Sequence, residues 1–212
     1  AIIYAADMGA TIAQCSWGWG LEGYYEQDVL DAIKYFTHSA RSNNMTGGIC
    51  IFAAGNDGKD GDFYPNCMDE VLAVASMTYS MQPAPYSCFG KWVDITAPGG
   101  WTDYDAKQGV LSTLPSNSYG FNEGTSMAAP HVSGIAALIL SKYGSPNLTN
   151  EKLRQQILTS VNDFYTLNPK AEGLFGSGYV DANKALQWGD GTAPSAVSNI
   201  SATAMQESIA LQ

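Results

Sequence analysis

Basic residues are scarce in this sequence. The 212 residues include 10 Lys and Arg against 20 Asp and Glu, which gives a net charge of -10 and a sequence pI of about 4.4. Nucleic-acid phosphates are bound by clustered Lys and Arg, and anionic membrane surfaces attract polybasic segments. The composition therefore argues against nucleic acid and against a membrane surface as partners.

Long apolar runs are also absent. No stretch approaches the roughly 20 apolar residues of a membrane-spanning helix, so the sequence predicts no membrane span. Hydrophobic residues nevertheless make up 45% of the chain, which suffices for a globular core. No signal peptide precedes the helix-like residues that end at Gly9. We therefore interpret the chain as part of a longer polypeptide, with any targeting sequence outside these residues.

Strand-like apolar runs alternate with helical patterns along residues 1–190. This alternation predicts an α/β fold, with a mostly parallel sheet flanked by helices. The predicted strands are Thr11–Ser16, Gly47–Gly55, Val71–Ser76 and Trp92–Gly99. The predicted helices are Glu26–Arg41, Thr125–Tyr143, Thr149 to about Ser160, and a short one from Asp181.

The composition changes near Trp188–Pro194. Residues 191–212 are rich in Ser, Ala and Val, and they alternate as β-strands do. This pattern predicts a linker and the first strands of a β-sandwich module that resembles fibronectin type III. The two predicted units are thus residues 1–190 and 191–212.

Three stretches carry candidate chemistry. In "EGTSMAAPHVSG", Ser126 opens an apolar helix, where a hydroxyl serves either as an N-cap or as a nucleophile beside free N–H groups. In "FAAGNDG", Asn56 follows a buried strand, where it is either a turn residue or an oxyanion donor. In "CSWGWG", glycines leave a strand edge open to an extended peptide, or they form a plain loop.

Together these stretches resemble the subtilisin family of serine proteases. The resemblance runs from Ala1 to about Gln187 and follows the family's motif order. It implies a subtilisin-like fold whose N-terminal part is not included in this chain. The matching stretches are AADMGATIAQCSWG (5–18), AAGNDG (53–58), YPNCMDEVLAVAS (64–76), DITAPG (94–99), GTSMAAPHVSG (124–134) and GSGYVDANKAL (176–186).

The resemblance assigns a role to individual residues. Ser126 becomes the nucleophile, while the Asn56 amide and the Ser126 backbone N–H become the oxyanion donors. Phe63 falls at the base of the specificity pocket. The remaining substrate-binding residues are an edge of Ser16, Trp17 and Gly18 and a pocket wall of Ala53, Ala54 and Gly55. Some family members bind calcium near this loop, but no dense carboxylate cluster is present here, so we predict no metal. No cofactor is expected.

The family's base and orienting acid are missing from the sequence. His131 lies five residues after Ser126, about 140° around a helix of 3.6 residues per turn, so it does not face the serine hydroxyl. It matches a structural histidine of the family motif, and His38 matches no catalytic position. We therefore expect the catalytic Asp and His to lie upstream of Ala1, in the remaining part of the same catalytic domain.

The predicted function is a serine endopeptidase that cleaves polypeptide substrates through an acyl-enzyme on Ser126. The alternative is an inactive pseudoprotease scaffold or an adhesion-associated domain. An α/β-hydrolase esterase fits poorly, since Ala128 replaces the second glycine of Gly-x-Ser-x-Gly.

The pairing of the cysteines is informative about the cellular compartment, because disulfides form in oxidising environments. Cys15 and Cys50 fall in predicted buried strands and are expected to be small core residues. The family pattern brings the loops of Cys67 and Cys88 together, which leaves a disulfide and two free thiols as open alternatives. Charged residues total 14%, against a usual level of about 25%, a composition common in exported proteins. We expect a secreted, cell-surface or periplasmic location.

Overall fold

The computed structural model describes residues 1–187 and the backbone of two later strands, β9 (Ala202–Met205) and β10 (Ser208–Leu211). These two strands pair with each other in antiparallel fashion. The predicted linker before them lies outside the described residues, so the fibronectin-like module stays a prediction.

A six-stranded sheet forms the centre of the fold. Its order is β1-β2-β3-β4-β8-β7, and all neighbours are parallel except the pair of β7 and β8. Parallel strands place their carboxyl ends along one edge, so the segments after β1 and β2 meet there. The six strands are β1 (Ile12–Cys15), β2 (Ile49–Ala53), β3 (Val71–Met77), β4 (Ile95–Pro98), β7 (Val161–Asn162) and β8 (Tyr179–Val180).

The other described elements surround this sheet. Two further strands, β5 (Val110–Leu114) and β6 (Ser118–Asn122), form an antiparallel hairpin apart from it. The α-helices are α1 (Ile2–Asp7), α2 (Gln27–Ser39), α3 (Thr125–Tyr143), α4 (Asn150–Thr159) and α5 (Ala182–Gln187). Two short 3₁₀ helices span Ala106–Gln108 and Pro169–Ala171.

Helix α3 lies against the sheet and positions the candidate nucleophile. Its buried face consists of small and branched residues that pack on β1, β2, β3 and β4. Strands β2 and β3 are buried along their whole length. On the face opposite α3, Leu30, Ile33 and Phe36 of α2 cover β2 and the start of β3, and a second cluster that includes Phe164 and Phe175 covers the end of β3. The core on the α3 face includes Ala128, Ala129, Val132, Ala136 and Ile139.

Most predicted elements are confirmed within one or two residues, and α3 has the predicted bounds. The fourth strand was predicted too long: it begins at Ile95, because Trp92 and Val93 lie in a turn. Strands β7 and β8 and the β5–β6 hairpin were not predicted.

A disulfide between Cys67 and Cys88 is contradicted, since both are free thiols. Cys15 and Cys50 are buried in adjacent strands, as predicted.

Candidate active site

Asn56 and Thr125 are joined by two hydrogen bonds. The Thr125 backbone N–H and the Thr125 hydroxyl both donate to Asn56 Oδ1, at 2.9 and 2.8 Å. Thr125 is fully buried, and its Oγ1 also accepts from the Gly55 N–H at 3.1 Å. An atom that accepts from a backbone N–H is the amide oxygen. The nitrogen of the Asn56 amide is therefore left as the available donor.

Gly124 lies beside this donor. A Cβ built on Gly124 would lie 3.4 Å from Asn56 Nδ2 and 3.7 Å from the Ser126 nitrogen, so both nitrogens are close to Gly124. Gly124 has a φ of 137°, a conformation that favours glycine. Within the described residues, the Ser126 N–H has no acceptor of its own. Two neighbouring N–H donors of this kind are the groups that stabilise an anionic oxygen in acyl transfer.

Ser126 occupies the second position of α3, a 19-residue helix. The N-terminus of a helix carries a partial positive charge and unsatisfied N–H groups. The side chain is half-buried, and no described residue hydrogen-bonds its hydroxyl. A developing negative charge next to Ser126 would therefore be stabilised by the helix.

Ser16 ties the end of β1 to this helix. Its hydroxyl donates to the Ser126 carbonyl oxygen at 2.9 Å. Pro130 lies four residues after Ser126 inside α3 and has no N–H, so the helix leaves this carbonyl without its usual partner. The Ser16 hydroxyl takes the place of the missing amide. The neighbouring Trp17 ring packs edge-on against Phe52 of β2, with centroids 5.1 Å apart.

A cavity of about 180 Å³ opens beside Ser126. Phe63, which is 2% exposed, also borders it, as the family pattern predicts. The cavity brings together all eight predicted site residues: Ser16, Trp17, Gly18, Ala53, Ala54, Gly55, Asn56 and Ser126.

Asn66 borders the same cavity and was missed in the sequence. Its Nδ2 donates to the Ala53 carbonyl oxygen at 2.6 Å. A Cβ on Gly18 would lie 2.4 Å from Asn66 Oδ1, so the amide lies between the predicted edge and the predicted wall. In the described part of the chain, this oxygen is the one buried side-chain polar atom without a hydrogen-bond partner. The sequence feature that could have identified Asn66 is its position directly after Tyr64-Pro65, within a stretch that resembles the family.

Both histidines contact backbone carbonyl oxygens of their own helices. His131 Nδ1 contacts the Met127 carbonyl oxygen at 2.8 Å, as an exposed residue on α3. His38 Nδ1 contacts the Lys34 carbonyl oxygen at 2.8 Å on α2. His131 and Ser126 border a second depression of about 280 Å³, yet no hydrogen bond joins their side chains. Neither histidine side chain is hydrogen-bonded to Ser126 in this arrangement.

No described group of three His, Cys, Asp or Glu side chains is arranged to hold a metal ion. The described helices also include none with the length and apolarity to cross a bilayer.

Solved proteases share this architecture. A protease from Pseudoalteromonas arctica superposes with a TM-score of 0.68 at 31% identity, over 87% of this chain and 56% of the other. The chain belongs to the subtilase family, whose family model matches residues 1–178.

Proteins of similar sequence are also named as proteases. The chain is 40% identical to the thermostable alkaline protease of Halalkalibacterium halodurans, over 69% of this chain and 36% of the relative. It is 36% identical to the extracellular basic protease of Dichelobacter nodosus, over 66% of this chain and 23% of the relative. The chain thus spans about a third or less of the length of these two relatives.

Proposed function

We propose that these residues form part of a serine endopeptidase that cleaves polypeptides through an acyl-enzyme on Ser126. The observation that carries the proposal is the convergence of Asn56 Nδ2 and the Ser126 N–H beside the Ser126 side chain. Two fixed donors at the position where an oxyanion develops provide the largest single contribution in many acyl transfers. Family membership and the protease relatives support the same reaction class.

In the first step, Ser126 Oγ attacks the carbonyl carbon of the scissile peptide and loses its proton to a base. The carbonyl oxygen becomes an oxyanion that accepts from Asn56 Nδ2 and the Ser126 N–H. The C–N bond then breaks as the amine takes up the proton, which leaves an ester on Ser126. Water attacks this ester by the same route and releases the acid.

Substrate binding uses the residues around the cavity. An extended peptide pairs with the Ser16, Trp17 and Gly18 edge through its backbone. The side chain before the scissile bond enters the 180 Å³ cavity, whose wall is formed by Ala53, Ala54 and Gly55.

The base and its orienting carboxylate come from residues outside these 212, in the remainder of the catalytic domain. In support, both histidines of the sequence bond to carbonyl oxygens of their own helices. The face of α3 next to Ser126 is also exposed at Pro130 and Gly134, although this helix is strongly apolar. An upstream segment that covers this face would reach the Ser126 hydroxyl.

An extracytoplasmic location follows as part of the proposal. The acidic, charge-poor composition supports it, as does similarity to a relative named as extracellular.

Labelling with a fluorophosphonate tests this function. The protein that contains residues 1–212 with its upstream sequence should label, and Ser126→Ala should abolish the label. His131→Ala should leave labelling intact, because the base lies elsewhere. The isolated 212 residues should label slowly, since triad members act as a unit. An unlabelled longer protein would favour an inactive scaffold, and rapid labelling of the isolated 212 residues would place the base within them.

A further inference from the structure

The Tyr86 hydroxyl joins three segments that meet at Gly124. It donates to the Gly100 carbonyl oxygen at 2.6 Å, and the Gly124 N–H donates to it at 2.9 Å. Ser76 Oγ of β3 is its third partner, at 2.8 Å. A phenol has one O–H donor and room for two incoming donors. Because the Tyr86 O–H is donated to the Gly100 carbonyl oxygen, the Tyr86 oxygen accepts from both Ser76 and Gly124, so its hydrogen-bonding capacity is filled.

The Gly124 peptide connects the Tyr86 hydroxyl to the site, because its N–H donates to that hydroxyl. Gly124 directly precedes Thr125 and Ser126, and its own Cβ position borders Asn56 Nδ2 and the Ser126 nitrogen. The Gly124 N–H is shared between Tyr86 and the Gly99 carbonyl oxygen, at 3.1 Å from the latter. A rotation of this peptide would move the Ser126 N–H away from the point that it shares with Asn56.

We propose that Tyr86 is a positioning residue for the oxyanion site, whose hydroxyl holds the Gly124 peptide so that the Ser126 N–H and Asn56 Nδ2 remain converged. The inference rests on the proposed function, because it concerns the same reaction. Tyr86 lies outside the residues that line the cavity, so it acts through Gly124 and not on the substrate.

Burial keeps this hydroxyl in its neutral form. It raises the pKa of Tyr86, and this effect outweighs the hydrogen bonds with Ser76 and Gly124, which lower the pKa. The O–H therefore remains a donor to Gly100 at neutral and moderately alkaline pH.

The test replaces Tyr86 by Phe in the active enzyme, which keeps the ring and removes the hydroxyl. Tyr165→Phe is a matched control, because the Tyr165 hydroxyl also donates to a glycine carbonyl oxygen, that of Gly176, and neither residue lines the cavity. We expect both variants to lower Tm. Tyr86→Phe should also lower kcat by about fivefold, the usual worth of one such hydrogen bond, with KM within about twofold.

A peptide aldehyde separates positioning from general destabilisation, because it forms a hemiacetal whose oxygen occupies the oxyanion site. Its inhibition constant should rise in Tyr86→Phe by the same factor as kcat falls, while the affinity of a non-covalent product peptide stays unchanged. Fluorophosphonate titration gives the active fraction of each variant. If Tyr86→Phe does not fold, Ser76→Ala removes one partner of the same hydroxyl and should lower kcat by about threefold.

The inference is wrong if Tyr86→Phe keeps the wild-type kcat and aldehyde inhibition, or if Tyr165→Phe loses as much of both. If Tyr86→Phe is insoluble, the inference is wrong if a folded Ser76→Ala variant keeps the wild-type kcat and aldehyde inhibition. A wild-type enzyme that does not hydrolyse peptides would instead overturn the proposed function, which separates the two failures.

Discussion

The Asn56 side-chain oxygen is held by Thr125 through two donors, the backbone N–H and the hydroxyl of one residue. Asn56 itself lies on an exposed loop after β2. A fully buried residue at the start of α3 thus fixes an exposed amide, and the direction of the amide nitrogen follows from what binds the oxygen.

Removing the Asn56 donor should reduce turnover without weakening substrate binding. We expect Asn56→Ala to lower kcat by about 10²- to 10³-fold with little change in KM. Asn56→Asp is a matched variant, because it keeps the oxygen that Thr125 binds and lacks the N–H. It should lose at least as much activity. Unchanged steady-state kinetics in either variant would remove Asn56 from the mechanism.

Removing the Thr125 hydroxyl should loosen the Asn56 amide, because this hydroxyl donates to Asn56 Oδ1. Thr125→Val leaves Asn56 Oδ1 with one donor, and it leaves the Gly55 N–H without its acceptor. We expect kcat to fall by about fivefold and the free energy of unfolding by about 1–3 kcal/mol. Thr125→Ser keeps the hydroxyl and should retain most of both. A Thr125→Ser variant as impaired as Thr125→Val would show that the hydroxyl by itself does not account for the loss.

Gly18 should tolerate no side chain while Asn66 is present. A Cβ at Gly18 would lie 2.4 Å from Asn66 Oδ1, whereas a Cβ at Gly20 meets nothing within 4 Å. Gly18→Ala should therefore displace the Asn66 amide and lower kcat/KM by about tenfold or more. Gly20→Ala should have little effect. The double variant Gly18→Ala/Asn66→Ala should recover part of the loss, and a double variant as impaired as Gly18→Ala would contradict this account.

The Asp94–Arg154 ion pair, at 2.5 Å, predicts a pH dependence of stability. Burial raises the pKa of Asp94 above its ordinary value, although the Arg154 guanidinium and the Ala73 N–H lower it. The folded state then holds the proton more tightly than the unfolded chain does. The contribution of Asp94 to the free energy of unfolding therefore decreases as the pH rises from the unfolded to the folded pKa.

Denaturant unfolding across the acidic range tests this direction. The free energy of unfolding of the wild type minus that of Asp94→Asn should decrease with rising pH. Asp103→Asn, at an exposed carboxylate, controls for the loss of one negative charge. A difference that increases with pH would show that attraction to Arg154 exceeds the cost of burying the carboxylate.

Cys15, Cys50 and Cys67 should behave as unreactive free thiols. Burial raises the pKa of Cys15 and of Cys67 to about 11, and it raises that of Cys50 as well. At pH 8, a thiol with a pKa of about 11 is ionised in about one molecule in a thousand, and the thiolate is the reactive form. Iodoacetamide should therefore modify these three thiols slowly until denaturant is added. An intact mass 2 Da below that of the fully reduced chain would instead reveal a disulfide.

Local patterns in the sequence determined the main elements of the fold. The apolar runs of β2 and β3 and the apolar segment Thr125–Tyr143 are regular over many residues, so periodicity and bounding glycines mark them. The short strands β7 and β8 have two residues each and carry no periodic signal.

The candidate site likewise has residues that the sequence marks and residues that it does not. Ser126 and Asn56 stand in recognisable motifs, but each also fits an ordinary cap or turn, and 69 positions separate Asn56 from Thr125. Only the tertiary structure brings the Asn56 amide and the Ser126 N–H together beside Gly124, because the parallel strands end and α3 begins at the same edge of the sheet. Tyr86 and Asn66 lie in loops, where the sequence fixes neither burial nor hydrogen-bond partners. Their contacts with Gly124 and Gly18 arise only from the packing of the folded chain.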